Sequence, residues 1–473
     1  MRASEEKVML HQRNARPIFF ILLMAATLPL VADAGDQQPS RRLSTAVTEP
    51  DWAAVGNEAV GYLQHYIRFD TSNPPGNVIA AGRFLQGLLQ DADIDTSWFL
   101  SEPGVTANLM ARLPATGRPV GKPLLLLHHM DVVPADRSRW RTDPFSGEIA
   151  RGAVWGRGAM DMKGLGIIHL MTMLELKRQG VPLDRDLLFL AVADEEVGGE
   201  RGAGWMLSHR PDLLDVEYVF DEGGFGAADV LARGRLVFNV SVVEKKIVWL
   251  RLTAEGTAGH GSQPDAANPN DHLVAALQRV LQLAPLGAEP PVVEELRRRV
   301  GPLADNKFTH ALTHTTTALT TLRAGVGEPP KVNVIPSLAT ATLDNRLLPG
   351  LPAEEFLARV AHAMEDETIA LEVEYDSGGT PVTSWDTELF HVIESTLQRH
   401  YPDAVVTPSP IPYGTDSNSF RLRGAGAYGL SPVVVSLEVV SSMHGDAEHL
   451  PIESFRRGVQ IFYEIVRDYA GRH

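Results

Sequence analysis

The sequence predicts an α/β protein: a mainly parallel sheet flanked by helices, interrupted by an inserted α+β unit. Three observations carry this. Segments apolar on both faces alternate with helical patterns from about residue 52 to 243; half-exposed alternation replaces them at Lys246; and the first texture returns near Ser377. Strands apolar on both faces belong to sheets covered by helices on either side, the setting of parallel strands.

In chain order, "GKPLLLLHHMDVV" reads as a buried strand. "KGLGIIHLMTMLELKRQG" places Ile168, Met171 and Leu174 at helical spacing and stops at Gly180. "LLFLAV" (187–192) is a second buried strand, and "VEYVFDEGG" follows as a third. Within the insert, "IVWLRLTAEG" and "VNVIPSLATATLDNRLLP" alternate as half-exposed strands, and "IALEVEYD" closes the set as a strand. "NDHLVAALQRVLQLA" and "PAEEFLARVAHAM" are amphipathic helices. "EPPVVEELRRRVGPLADNKF", punctuated by Pro and Gly with clustered charge, reads as a surface elaboration of this unit. The chain ends on the helix "IESFRRGVQIFYEIVRDY". The expected division is 51–245 with 377–473 for the larger domain and 246–376 for the smaller.

At 473 residues the chain exceeds one ordinary core, in keeping with two domains. Hydrophobic residues at 44% and charged residues at 22% describe a globular protein. A net charge of −16 argues against nucleic-acid partners, which need a basic surface. Arg13 and Arg16 precede an apolar stretch that closes on Ala32-Asp33-Ala34, the pattern of a secretory signal peptide over residues 1–34. Residues 35–50 then read as a linker. With no Cys there is neither a lipoprotein acceptor nor a disulfide, and no stable membrane span is expected after cleavage. A periplasmic location is the simplest fit.

"LLFLAVADEEVGGE" ends a buried strand in Asp194, Glu195 and Glu196 and turns through Gly198 and Gly199. Crowded carboxylates repel each other and lose solvation, so a multivalent cation is the natural compensation. Other strand ends add to it. "HHMDVVP" offers His129 and Asp131, "GRGAMDMKG" offers Asp161 before a helix, "VFDEGG" offers Asp221 and Glu222, and "VVSSMHGDAEH" offers His444. Any lone His or acid here is most simply a surface or core residue; their ordered co-occurrence at strand ends is what points to a site, because α/β sheets gather chemistry there. Mixed His and carboxylate donors suit zinc, and serve cobalt or manganese equally. One bridging carboxylate would let the set hold two ions.

In these motifs the chain resembles the dizinc exopeptidase family of aminoacylase, bacterial glutamate carboxypeptidase, succinyl-diaminopimelate desuccinylase and yeast carboxypeptidase S. The likeness runs over nearly all of the chain after the signal segment. "HTTTALTTLRAG" followed by "KVNVIP" is similar to the carboxypeptidase S branch, which includes a secreted hydrolase of N-fatty-acyl amino acids. The resemblance implies a ferredoxin-like inserted unit that acts as lid and dimerisation domain. It implies His129 and Glu222 on one metal, Glu196 and His444 on the other, and Asp161 bridging; Asp221 remains the alternative to Glu222. Asp131 would bond the far nitrogen of His129, and Glu195 would be the general base. "GTAGHGSQP" implies that His260 reaches an active site, commonly the dimer partner's, with Asn333 assisting. Arg346 would grip the substrate's free carboxylate, near backbone around Gly414; by itself Arg346 is equally an ordinary strand arginine. Met162 stands where several members carry Asp, and Asp416 and Glu448 occupy motif positions without an assigned role. The implied activity is hydrolysis of N-acyl amino acids or short peptides with a free carboxylate. The alternatives are a dipeptidase or aminopeptidase of the same family and a non-catalytic periplasmic binding protein, which would have no use for Glu195.

Overall fold

The computed structural model describes residues 49–102, 104–284 and 289–472. The expected signal segment, and the linker up to residue 48, lie outside the described residues. The chain begins with α1 (Trp52–Ile67) and α2 (Ile79–Asp91), then β1 (Asp95–Glu102), β2 (Thr106–Leu113) and β3 (Leu124–His129). Short β4 (Glu148–Ala150) and β5 (Ala153–Trp155) precede α3 (Lys163–Arg178), β6 (Leu187–Val192), α4 (Ala203–His209), β7 (Tyr218–Ala228) and β8 (Leu236–Glu244).

The insert runs through β9 (Lys246–Glu255), β10 (Gly259–His260), α5 (Pro269–Val280), α6 (Pro291–Val300) and α7 (Lys307–Thr313). It continues with β11 (Thr316–Ala324), β12 (Val334–Ile335), β13 (Leu338–Leu347), α8 (Ala353–Met364) and β14 (Ile369–Asp376). The final stretch holds α9 (Glu388–His400), β15 (Val405–Ile411), α10 (Ser417–Arg421), β16 (Gly426–Val435), α11 (Leu437–Val440), β17 (His449–Pro451) and α12 (Ile452–Ala470).

An eight-stranded sheet orders its strands β1-β2-β6-β3-β7-β16-β8-β15. Its middle is parallel, β6 with β3, β3 with β7 and β7 with β16. The β1–β2 edge and the β7–β8 pairing run antiparallel, so the sheet is mixed rather than simply parallel. The connections decide this, since the short links between these strands can join only antiparallel neighbours. The leucine runs fill both faces by alternation. Leu124, Leu126, Leu187 and Phe189 enter the core under α1, α3 and α12, while Leu125, Leu127, Leu188 and Leu190 pack with Met206 and Phe420 on the other face.

In the insert, β11, β13, β9 and β14 form an antiparallel sheet in that order, with α5 and α8 packed through Val248, Leu250, Leu273, Phe356 and Val360. The chain order β-α-β-β-α-β over this sheet is the ferredoxin-like pattern, with α6 and α7 added before β11. Residues 289–308 are not the surface elaboration the sequence suggested. α6 packs on β15 of the larger sheet, its Val292 and Val293 entering the main core, while Leu296 and Val300 pack with Leu231, Val237 and Leu312. The apolar positions 292, 293, 296 and 300 form one stripe of a helix, which the clustered arginines between them disguised. Among the described residues no helix is long and apolar enough to cross a membrane.

Candidate active site

Strand ends and turns bring the motif residues together beyond the carboxyl ends of the parallel strands. His129 is the last residue of β3 and is buried, with Nε2 3.1 Å from Asp161 Oδ1 and 3.6 Å from Glu222 Oε1. Half-exposed His444 approaches the other side, with Nε2 2.9 Å from Asp161 Oδ2 and 3.4 Å from Glu196 Oε2. Asp161 therefore turns one oxygen to each histidine. Glu195 lies among these donors, and one atom each from His129, Glu195 and Glu222 falls within 4.8 Å of the others, as for His129, Asp161 and Glu196.

The backbone explains the placement. After β6, Asp194 takes a left-handed conformation at φ 74° and starts a single tight turn through Glu195 and Glu196. Gly199 leaves that turn at φ 71°, where a Cβ would lie 2.7 Å from Asp416 Oδ1, so only glycine fits. Asp131 holds the turn from beneath: its carboxylate accepts the N–H groups of Glu195 (3.2 Å) and Glu196 (3.3 Å) and the amide of Asn73 (2.9 Å). The far nitrogen of His129 lies 2.9 Å from the backbone oxygen of Asp131 and 3.7 Å from its carboxylate, so the main chain, rather than the expected side chain, orients the ring. Val133 N–H donates to Glu196 Oε1 at 3.1 Å and leaves Oε2 toward His444.

Glu222 sits mid-strand in β7, where Gly223 at φ 127° breaks the register with β16. Of the adjacent acids, Asp221 turns away to accept the Ser417 hydroxyl at 2.8 Å, while Glu222 faces His129. The turn carrying Asp161 is pinned by Glu448. That buried carboxylate accepts from Gly158 N–H (3.0 Å), Met160 N–H (2.8 Å), Asp161 N–H (3.1 Å) and the Arg157 guanidinium (2.7 Å). Sequence reading located Glu448 and could not give it this role, because three of its four partners are main-chain donors, all nearly 300 residues away.

Charge is balanced tightly here. Burial pushes Glu195 well above the usual carboxylate range, with Glu222, Asp416 and Glu196 adding repulsion against the pull of His129. Burial and the charge of Asp161 raise Glu222 to about 8. Hydrogen bonds to Asp161 and Glu196 lift His444 to about 10. Burial opposes protonation of His129, but Asp161 and Glu222 outweigh it and hold the ring cationic. Burial likewise opposes ionisation of Asp161, and the two histidines overcome it. By itself the cluster offsets its negative charge with protons. Imidazole nitrogens and carboxylate oxygens so close together form a donor set that fits divalent cations, which would displace those protons.

A cavity of about 470 Å³ opens over the cluster, with Asp161, Glu195, Glu196, Glu222 and His444 at its charged end. Its remaining lining comes from Lys307, Phe308 and Ala311 of α7, from Pro412, Tyr413 and Gly414, and from Leu437, Val440, Ser441 and Met443. Gly414, expected beside Arg346, is in this lining. His260, Asn333 and Arg346 are not in this lining. His260 is exposed, its Nδ1 2.7 Å from the Ser262 hydroxyl, and Asn333 lies beside it, its carbonyl accepting from Gly261 N–H at 2.8 Å. Arg346 forks onto Asp344 at 2.8 and 3.0 Å. The apolar wall from α7 and α11 was missed, since nothing in "KFTHALT" or "LEVV" marks it as facing a site.

Comparison with known proteins agrees with this architecture. A model of peptidase family M20/M25/M40 matches residues 125–468. The N-fatty-acyl-amino acid synthase/hydrolase of Xenopus tropicalis is 30% identical over 374 residues, covering 73% of this chain and 72% of that protein. A probable carboxypeptidase S-like protein of Dictyostelium discoideum is 28% identical over 378 residues, covering 73% and 72%. An M20 family metallo-carboxypeptidase from Sulfolobus solfataricus superposes with a TM-score of 0.68 at 18% identity, covering 87% of this chain and 99% of that one.

Proposed function

The chain belongs to peptidase family M20/M25/M40 and is a hydrolase of that metallopeptidase family, and from that premise we propose that it cleaves the amide bond of N-acyl amino acids bearing a free carboxylate. One observation carries the reading: Asp161 stands between His129 with Glu222 and His444 with Glu196, with Glu195 beside them at the charged end of a cavity whose walls are largely apolar. His129 and Glu222 would hold one divalent cation, Glu196 and His444 the other, and Asp161 both. When bound, two zinc ions, or cobalt or manganese in their place, supply Lewis-acid polarisation of the carbonyl and a water that ionises near neutral pH.

The protein's own groups do the rest. The Glu195 carboxylate takes the proton from the attacking water and returns it to the nitrogen of the departing amino acid. Asp131 holds that carboxylate's backbone in place, and Glu448 does the same for Asp161. Arg346 exchanges its fork on Asp344 for the substrate's carboxylate, a geometry that guanidinium matches, and Gly414 offers backbone beside it. His260, assisted by Asn333, stabilises the developing oxyanion in the site of a second copy. Its exposure supports that role, as does the uncovered edge strand β11, where Leu319 and Leu322 are 38% and 52% exposed. The relative from Xenopus tropicalis, named for N-fatty-acyl amino acids, favours acyl over peptidyl substrates. The pattern around Arg13, Arg16 and Ala34 favours export, to the periplasm.

The test is hydrolysis of N-acyl amino acids and dipeptides, each with a free or amidated carboxyl end, before and after chelation. Cleavage that needs both metal and free carboxylate is expected. Cleavage confined to substrates with a free amino terminus would replace this reading with a dipeptidase or aminopeptidase. Tight binding without turnover in metal-loaded protein would replace it with a binding protein.

A further inference from the structure

The stretch from Pro291 to Thr313 lies in sequence between two elements of the smaller sheet, yet it is built onto the larger one. It is fastened there at several points, by side chains and by main chain. Arg299 donates to the Val406 carbonyl at 3.1 Å, the Asn306 amide to the Val230 carbonyl at 2.8 Å, and Ala304 N–H to the Leu231 carbonyl at 2.8 Å. The carboxyl end of α7 is clamped by Lys245, buried at the junction between β8 and β9. Its Nζ donates to the carbonyls of Ala311 (3.0 Å) and His314 (2.7 Å) and to the Thr316 hydroxyl (3.2 Å). Helix-end carbonyls capped by an amine donor are satisfied at the place where a helix most readily frays. α7 is thus a fixed wall.

That wall faces the carboxylate cluster with Phe308 and Ala311, three residues apart on one helical face. Leu437, Val440 and Met443 line the same cavity, and Leu437 remains 42% exposed. Apolar surface left open beside a charged centre favours a ligand whose apolar part covers it. Lys307, also in the lining, is exposed at the first position of the helix. On amide hydrolysis as the reaction, we propose that α7 is the selectivity wall of the enzyme: Phe308 lines the acyl group, and Ala311, the smallest side chain on the helix, leaves the room that admits a long apolar one.

The test uses metal-loaded enzyme and a series from N-acetyl to N-decanoyl on one amino acid, with Ala311→Trp and the milder Ala311→Leu. The ratio of kcat/KM for decanoyl over acetyl substrate should fall at least tenfold in Ala311→Trp and by less in Ala311→Leu. An unchanged ratio in both variants overturns the proposal. So does a shift in amino-acid preference with the acyl ratio unmoved, which would assign α7 to the other half of the substrate. If the wild type cleaves no member of the series, the hydrolase reading fails separately. Calorimetric binding of N-decanoyl amino acid then still decides: at least tenfold weaker binding to Ala311→Trp supports the wall, and equal affinity rejects it.

Discussion

Glu195 stands within ligand distance of His129 and Glu222, so a substitution is what separates a base from a further metal donor. In Glu195→Gln the carbonyl oxygen keeps the steric place and loses the proton acceptor. We expect kcat to fall by about 10²–10⁴-fold, with metal content by mass spectrometry unchanged at the wild-type level. Loss of metal together with activity would make Glu195 a ligand instead. Glu448 offers the complementary case, a carboxylate that touches no substrate. Its exchange for Gln leaves Arg157 buried without its counter-charge and weakens the grip on the Asp161 turn. The expected cost is about 3 kcal/mol in thermal or urea unfolding, with roughly tenfold weaker metal binding. Stability lost without any change in metal affinity would confine Glu448 to a structural role. The ligand-type residues were legible in the sequence because each acid or histidine ends a conspicuous apolar run or opens a glycine turn. Glu448 was legible as a position only, since a carboxylate that serves main-chain donors leaves no pattern in side chains.

At the scale of elements, the loop around Gly414 shows how charge and folding are linked. Glu244, the last residue of β8, is buried and accepts from Thr415 N–H (3.1 Å), the Thr415 hydroxyl (2.8 Å) and Arg421 (3.1 Å). Burial raises it to about 7 despite Arg421 and Thr415. Its folded pKa exceeds its unfolded one of 4.5, so the folded state binds more protons between these values. Glu244 therefore contributes stability fully present below about pH 4.5 and lost as pH rises through about 7, on the order of 3 kcal/mol. Glu244→Gln should flatten that part of the stability profile relative to wild type in urea titrations at pH 5 and pH 8; parallel profiles would remove Glu244 as the source. Helices α3, α5, α8 and α12 and strands β3, β6, β7, β9, β13 and β14 were readable from period and composition. α6 and α7 were not, because their amphipathic stripes are short and placed between elements of a different sheet, and α6 is also rich in arginine. Only tertiary packing shows which core they join.

For the whole molecule, sequence texture alone separated the two sheets, because strands buried on both faces and strands buried on one face carry different periodicities. What texture cannot carry is how copies meet, and the position of His260 makes that a functional question. It is exposed on a two-residue ribbon, and the cavity of its own chain is lined without it. If it serves a second copy, Glu195→Gln and His260→Ala inactivate different halves of one working unit. A dimer of one Glu195→Gln chain and one His260→Ala chain keeps a single complete site: Glu195 from the His260→Ala chain and His260 from the other. Random reassembly of equal amounts makes half of the dimers mixed, so the mixture should recover about a quarter of the wild-type rate, although each variant alone is nearly inactive. Recovery should require subunit exchange and vanish when exchange is blocked by crosslinking each variant beforehand. No recovery from a fully exchanged mixture, or full activity from a monomer by light scattering under assay conditions, would return His260 to its own chain. Closure of the smaller sheet over the cavity would then have to bring it there.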